Sequence, residues 1–271
     1  MEMDEIRAHW TELAKTKGDS LGATTRTKSI KKLEIDVLSR WIKKKGAGWK
    51  NILEVGCGNG TNCIELGKLF PDIHFYGVDY INEMIANAKI RAKTIPNVTF
   101  DVDDATTLKT AISTSKKFNA IITDRCLINL NTIELQKSAL KNIFTHLDFG
   151  GYYFMLENSV SSYANQNKMR ELVGLKKRLP AEFNCFLDDD VILEYLRNEL
   201  SASLEIVDNF ASLHDLMLYV IEPSLKSGEV MYESDAVNIV TEFLLKCGDS
   251  GINKFGEFGQ NRLYILRKDR K

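Results

Sequence analysis

The chain has 271 residues, of which 44% are hydrophobic and 27% charged, and its formal net charge is −1. That length and balance suit one large α/β domain with an insertion, able to bury a core without metals or disulfides, and they exclude a disordered or fibrous chain. The absence of a basic excess weighs against a dedicated nucleic-acid binder, and no apolar run approaches the ~18 residues needed to span a membrane.

The start, Met1-Glu2-Met3-Asp4-Glu5, is acidic and lacks an apolar centre, so no signal peptide is visible and a cytoplasmic location is expected. The five cysteines, Cys57, Cys63, Cys126, Cys185 and Cys247, form no CxxC pair and read as isolated buried thiols in a reducing compartment. Residues 1–46 precede the first strand. Within them Ile30, Leu33, Val37, Leu38 and Trp41 mark an amphipathic helix, begun by Ser29 and ended near Gly46. Asn51–Val55 reads as a short buried strand ended by a glycine cluster. Cys63, Leu66, Gly67 and Phe70 then share one helix face, which Pro71-Asp72 stops. A second strand runs over 73–78 and ends at Asp79, and Ile81, Met84, Ile85 and Ala88 form the next helical stripe. Third and fourth strands follow at 98–102 and 118–123. The next helix carries a capping signature, Asn131 with Glu134, an apolar face of Leu140, Ile143, Phe144 and Leu147, and a stop at Gly150-Gly151. The fifth strand is read at 152–156, a sixth at 204–208 and a last one at 261–266. Residues 159–200 form a helical insertion, in which Asp188-Asp189-Asp190 reads as a helix start. Strands alternating with helices predict a mostly parallel sheet covered on both faces.

The chemistry concentrates at Glu54-Val55-Gly56-Cys57-Gly58-Asn59-Gly60. A strand, a glycine-rich turn and a helix make a nucleotide-site geometry, because glycine takes positive φ and lets the backbone approach a ligand. The dinucleotide fingerprint would place its third glycine at Thr61; here it comes one residue earlier, at Gly60, and Glu54 stands two before the first. This turn resembles the first motif of the class I S-adenosylmethionine-dependent methyltransferases at every defining position. The resemblance covers roughly residues 48–158. It implies a Rossmann-like, seven-stranded sheet and S-adenosylmethionine as cofactor, with S-adenosylhomocysteine as product. In that family the turn cradles the methionyl part, so Glu54, Gly56, Cys57, Gly58 and Gly60 are candidate cofactor residues. The resemblance further implies that Asp79 accepts from both ribose hydroxyls, that Tyr80 and Ile81 flank the adenine, that Met84 is a family-like helix residue of the cofactor site, and that Asp104 and Ala105 sit near the adenine amino group. Asp103 stands where the family usually has glycine. The 1–46 segment is expected to close as a lid, with Arg26 meeting the methionyl carboxylate.

On the acceptor side, Asp124-Arg125-Cys126-Leu127-Ile128-Asn129-Leu130 follows the fourth strand and lacks the Pro-Pro-Tyr signature of base and glutamine N-methyltransferases. Asp124 would lie at the strand end nearest the transferred methyl, as a proton acceptor or as a charge facing the sulfonium, or else only paired with Arg125. Glu157 occupies the same edge after the fifth strand, and His214, after the sixth, stands where related O-methyltransferases often carry a base. Arg170, Glu182, Phe183 and Asn184 are candidates for acceptor recognition, whereas His74 and His146 read as structural. The lid, the Asp124–Leu130 stretch and the insertion together look like bacterial methyltransferases of small molecules or surface-sugar precursors. The expected activity is metal-independent methyl transfer to a hydroxyl or amine of a small molecule, by a monomer or homodimer. RNA or protein methylation and a non-catalytic cofactor-binding subunit are the alternatives.

Overall fold

The computed structural model describes residues 2–269 apart from 19, 26, 111–116 and 249–254. Its strands are β1 (Asn51–Val55), β2 (His74–Asp79), β3 (Val98–Val102), β4 (Phe118–Asp124), β5 (Leu147–Asn158), β6 (Ala202–Asp208) and β7 (Asn261–Lys268). They form one seven-stranded sheet in the order β3-β2-β1-β4-β5-β7-β6. β1 to β5 pair in parallel, while β7 runs antiparallel between β5 and β6. The expected α/β, Rossmann-like, mostly parallel sheet is therefore what the chain forms. The order reverses between β1 and β4, and ligands of open α/β sheets bind at the strand ends beside such a switch.

The helices are α1 (Met3–Lys17), α2 (Lys28–Lys45), α3 (Thr61–Leu69), α4 (Asn82–Arg91), α5 (Ile133–His146), α6 (Val160–Leu172), α7 (Asp189–Leu200), α8 (Ser212–Leu216), α9 (Glu222–Leu225) and α10 (Asp235–Cys247). Alternation along each strand fills two cores. Phe154, Leu156, Leu263 and Ile265 face the side covered by Val37, Leu38 and Trp41 of α2 and by Cys63 and Leu66 of α3. Tyr153, Met155, Tyr264 and Leu266 face the other side, against Leu140, Ile143 and Phe144 of α5 and Ile192 and Leu196 of α7. Burial on both faces explains why these strands read as continuous apolar runs.

Several boundaries differ from the sequence reading. Thr27, not Ser29, caps α2, its hydroxyl accepting from the Ile30 N–H at 3.3 Å; the Ser29 hydroxyl is held instead by His214. Thr132, not Asn131, caps α5, accepting from the Leu135 N–H at 3.2 Å. Leu147 does not close that helix. It opens β5 by pairing with Phe118, and Gly150, at φ 75°, lies inside the strand where its register with β4 shifts. Asp188 does begin a helix, accepting from the Val191 N–H at 3.2 Å. Of the cysteines, Cys57 and Cys63 are buried, but Cys126, Cys185 and Cys247 are only half-buried. Among the described residues no helix is long and apolar enough to cross a membrane.

Candidate functional site

A cavity of about 760 Å³ opens over the C-terminal ends of β1, β2 and β4. Its floor is the glycine turn. Gly56, Gly58 and Gly60 all hold positive φ, at 74°, 53° and 77°. A Cβ on Gly56 would meet the Cys126 sulfur at 2.5 Å, and one on Gly58 would meet the Thr24 methyl at 2.7 Å. Glycine is thus required both by conformation and by space. Glu54 lies behind the turn, accepting from Asn62 Nδ2 at 2.8 Å and from the Cys63 thiol at 3.0 Å, and burial pushes its carboxyl up to about 7.

Asp79 ends β2 on the cavity wall. Its carboxylate accepts from the Gly58 N–H and the Ile81 N–H, both at 2.9 Å, which locks the turn to the second strand. Burial raises its pKa to about 6 against those hydrogen bonds. Cys57, Tyr80, Ile81, Met84, Asp104 and Ala105 line the same chamber. Asp104 is exposed and accepts from the Thr106 N–H and hydroxyl at 2.7 and 2.6 Å. Asp103, at the family's glycine position, is buried and accepts from the N–H groups of Asp104, Lys109 and Thr110, so it shapes that loop itself.

The N-terminal segment covers this chamber. Ala14 and Ala23 pack with Ile81 and Met84, and Trp10 and Tyr80 flank them. Asn59, fully buried within the glycine turn, donates to the carbonyls of Ser20 and Gly18 at 2.9 and 3.3 Å, tying the cover to the floor. Trp10 and His9 also meet Phe183 of the insertion, with ring centroids 5.9 and 4.7 Å apart. Arg26 lies outside the described residues.

Beyond β4 the cavity wall is a buried four-charge network. Lys31 Nζ lies 2.5 Å from Glu34 and 2.7 Å from Asp124. Arg125 Nε lies 3.2 Å from Glu34 and 3.3 Å from Asp124, and Asn62 Nδ2 donates to Asp124 at 2.9 Å. Burial alone would raise the Asp124 carboxyl, but Lys31 and Arg125 outweigh it and hold it below the ordinary carboxylate range. Asp124 is therefore a fixed negative charge with little basicity. Arg125 occupies φ 54°, a left-handed conformation uncommon for a side-chain-bearing residue, and its guanidinium also donates to the Thr24 carbonyl at 3.2 Å.

Glu157 is placed differently from the sequence expectation. It is fully buried beneath the Leu127–Asn129 turn and accepts from the N–H groups of Cys126, Leu127 and Ile128 at 3.1, 3.1 and 3.4 Å. Burial lifts its pKa to about 7. Its hydrogen-bonding capacity is directed at the backbone of the loop after β4. His214 lines the cavity, with Nδ1 at 2.8 Å from Asp215 and Nε2 at 2.9 Å from the Ser29 hydroxyl. A carboxylate only accepts, so Nδ1–H donates to Asp215, which leaves Nε2 to accept from Ser29 in the neutral tautomer.

Asn158 and Asn261 are register partners across β5 and β7, and both line the cavity. They are 5% and 2% exposed, and among the described residues the buried Oδ1 of each has no hydrogen-bond partner. The Asn261 amide nitrogen donates to Glu34 at 2.7 Å, which fixes the orientation of the side chain. Trp10 Nε1, Tyr80 OH and Tyr163 OH, also on cavity residues, are likewise buried and unpartnered. Phe183 and Asn184 of the insertion line the cavity, while Arg170 turns inward to the carbonyls of Lys176 and Tyr219. Lys31, Glu34, Asn59, Asn261 and Arg178 were not anticipated. Lys31 and Glu34 read as the polar flank of an amphipathic helix, and the helical spacing that puts both on the Leu38 side was the available signal.

Residues 48–203 match the profile of a family described as a methyltransferase domain. Over 100 residues the chain is 36% identical to a malonyl-(acyl-carrier protein) O-methyltransferase of Bacillus cereus, covering 37% of this chain and 34% of that protein. Over 171 residues it is 25% identical to malonyl-(acyl-carrier protein) O-methyltransferase 1 of Ilyobacter polytropus, covering 56% and 59%. The chain thus spans between about a third and three fifths of these curated relatives. Among solved structures it is similar to the N-methyltransferase NodS of Bradyrhizobium japonicum WM9 in complex with S-adenosylhomocysteine, at 12% identity and a TM-score of 0.58 over 98% of this chain and 99% of that one. It is also similar to magnesium protoporphyrin IX methyltransferase of Synechocystis PCC 6803, at 14% identity and a TM-score of 0.53 over 87% and 82%. At these identities the likeness is one of fold.

Proposed function

This chain belongs to the methyltransferase domain family, the Rossmann-like class that uses S-adenosylmethionine, and from that premise we propose that it methylates an oxygen or nitrogen of a small molecule. The observation that carries the proposal is the continuity of one cavity from the glycine turn and Asp79 to the recess of Asn158, Asn261 and His214.

The residues present suit the cofactor. The turn at Gly56–Gly60 offers a floor that side chains would fill, Asp79 offers a carboxylate to a diol, and the Tyr80 hydroxyl and Trp10 indole are buried donors without partners. Cys57, Met84, Asp104 and Ala105 would complete the chamber. When bound, the cofactor supplies a methyl group on a sulfonium already activated for displacement. The protein's work is then alignment and exclusion of water. The 1–46 segment, tied down by Asn59, covers the chamber. Asp124 provides a fixed negative charge at the β4 edge. Glu157 positions the acceptor loop from below. Asn158 and Asn261 present two carbonyl oxygens suited to a hydroxyl or amine. A hydroxyl acceptor that displaces Ser29 from His214 Nε2 would pass its proton there, with Asp215 stabilising the resulting charge. An amine would need only to arrive unprotonated. A sugar or surface-polysaccharide precursor is the acceptor class favoured by the sequence resemblance.

The test is transfer from methyl-labelled S-adenosylmethionine to a panel of hydroxylated and amino small molecules, RNA and protein. Label in small molecules is expected; label in RNA or protein alone would overturn the reading, and binding without transfer would favour a non-catalytic subunit. Asp79→Ala is expected to weaken cofactor binding by about 1–3 kcal/mol, the loss for hydrogen bonds to a charged group. Calorimetric titration checks it, and unchanged affinity would remove Asp79 from the site.

A further inference from the structure

At the insertion side of the cavity stand two guanidinium groups without an acid. Arg178 lines the cavity and lies 3.4 Å above the Tyr219 ring and 5.4 Å from that of Tyr163. Its Nη1 donates to Gln166 Oε1 at 2.5 Å and to Gln260 Oε1 at 3.1 Å, both neutral. Arg170, 5% exposed, donates only to the carbonyls of Lys176 and Tyr219. Among the described residues neither forms an ion pair. The neighbouring acids are committed elsewhere: Asp215 to His214 and the Gln260 N–H, Glu171 to Lys177, and Glu257 to Arg262. A cation removed from bulk water is costly unless an anion or hydrogen bonds compensate it. Arg170 is buried and Arg178 half-buried, and among the described residues neutral oxygens and aromatic faces are what meet them.

An independent observation points to a ligand at the same place. Tyr163 is 7% exposed, lines the cavity beside Arg178, and its buried hydroxyl has no partner among the described residues. A planar guanidinium held by stacking, with a hydroxyl donor next to it, is the chemistry that receives a carboxylate or phosphate.

We propose that Arg178 and Tyr163 form an anion-binding subsite of the acceptor pocket, so that the methyl acceptor carries a carboxylate or phosphate group. The identification of this pocket as the acceptor's rests on the methyltransferase reading. The anion would dock at the insertion edge and direct the remainder of the molecule toward Asn158 and Asn261. Arg170 reinforces the positive potential from behind without reaching the cavity.

The test titrates the full chain, saturated with S-adenosylhomocysteine, separately with malonate, inorganic phosphate and neutral malonamide, using calorimetry. Saturation by malonate assigns a carboxylate, and saturation by phosphate assigns a phosphate; malonamide is expected to bind at least tenfold more weakly. Arg178→Gln is expected to weaken the anion at least tenfold while S-adenosylhomocysteine affinity holds. Tyr163→Phe, which removes only the hydroxyl, is expected to weaken it three- to tenfold and serves if Arg178→Gln does not fold. Lys176→Gln, at an exposed lysine, is expected to leave binding unchanged. No saturation by either anion, or equal binding to wild type and to these variants, overturns the subsite. Repeating the titrations on the free protein separates the two claims: failure to bind S-adenosylhomocysteine overturns the cofactor reading, and the anion result still judges the subsite.

Discussion

At the residue scale, two carboxylates at adjacent strand ends differ because of their surroundings. Asp124 meets two cations and stays ionised, whereas Asp79 meets only backbone donors, and burial raises it to about 6. The sign of the consequence follows. Free folded protein binds the Asp79 proton more tightly than unfolded chain does, so this group's contribution to stability is full below about pH 4 and is lost as pH rises through 6, by about 3 kcal/mol. In the proposed site, cofactor binding works in the opposite direction, because ribose hydroxyls would donate to the ionised form. Affinity for S-adenosylmethionine is therefore expected to fall as pH drops below 6, with a proton released on binding there. Calorimetry across pH 5–8 checks this, and Asp79→Ala should flatten the step. The identity of Asp79 was legible in the sequence from its position at a strand end after the glycine turn. Its two backbone hydrogen bonds were not, since they depend on β2 lying beside β1.

At the scale of elements, the loop after β4 is held from both sides. Glu157 caps its turn from β5, and Arg125 clamps it to α2 through Glu34. Glu157→Ala leaves the buried N–H groups of Leu127 and Ile128 without that acceptor, so it is expected to cost about 2–6 kcal/mol of stability by denaturant titration, at 1–3 kcal/mol for each unsatisfied group. Its effect on cofactor affinity should be small by comparison. Lys31→Met leaves Asp124 and Glu34 facing a single cation and is expected to destabilise by about 3–5 kcal/mol, as breaking a buried pair does. Adding Asp124→Asn restores charge balance, and a double-mutant cycle should recover a large part of that loss. The sequence reading placed Asp124 and Glu157 at the right edge, because apolar runs locate strand ends. It could not tell a side chain turned into the cavity from one turned beneath a loop. The helix caps failed for a related reason: Ser29 and Asn131 stand close to α-helix starts, yet Thr27 and Thr132 have the geometry, and Ser29 is taken by His214.

At the scale of the whole molecule, the N-terminal segment and the insertion meet over the sheet through His9, Trp10 and Phe183. The cover is tied by few hydrogen bonds to the floor, chiefly those of Asn59, so ligand contacts should dominate its order. Amide exchange of α1 is expected to slow at least tenfold when S-adenosylhomocysteine binds, measured by mass spectrometry, and Asn59→Ala should reduce that protection. The sequence by itself determined the strand-and-helix alternation, the glycine turn and the acids at three strand ends. Those rest on local periodicity and on backbone conformations that only glycine takes readily. The tertiary structure alone decided which charges neutralise each other, that Asn158 and Asn261 stand side by side, and that Arg178 reaches the pocket with no ion pair among the described residues. Such pairings join segments up to 227 residues apart, as between Glu34 and Asn261, and no spacing along the chain encodes them. The glycine turn therefore pointed to the cofactor, while the proposed reading of the acceptor rests on contacts that exist only once the sheet, the insertion and the N-terminal helices have come together.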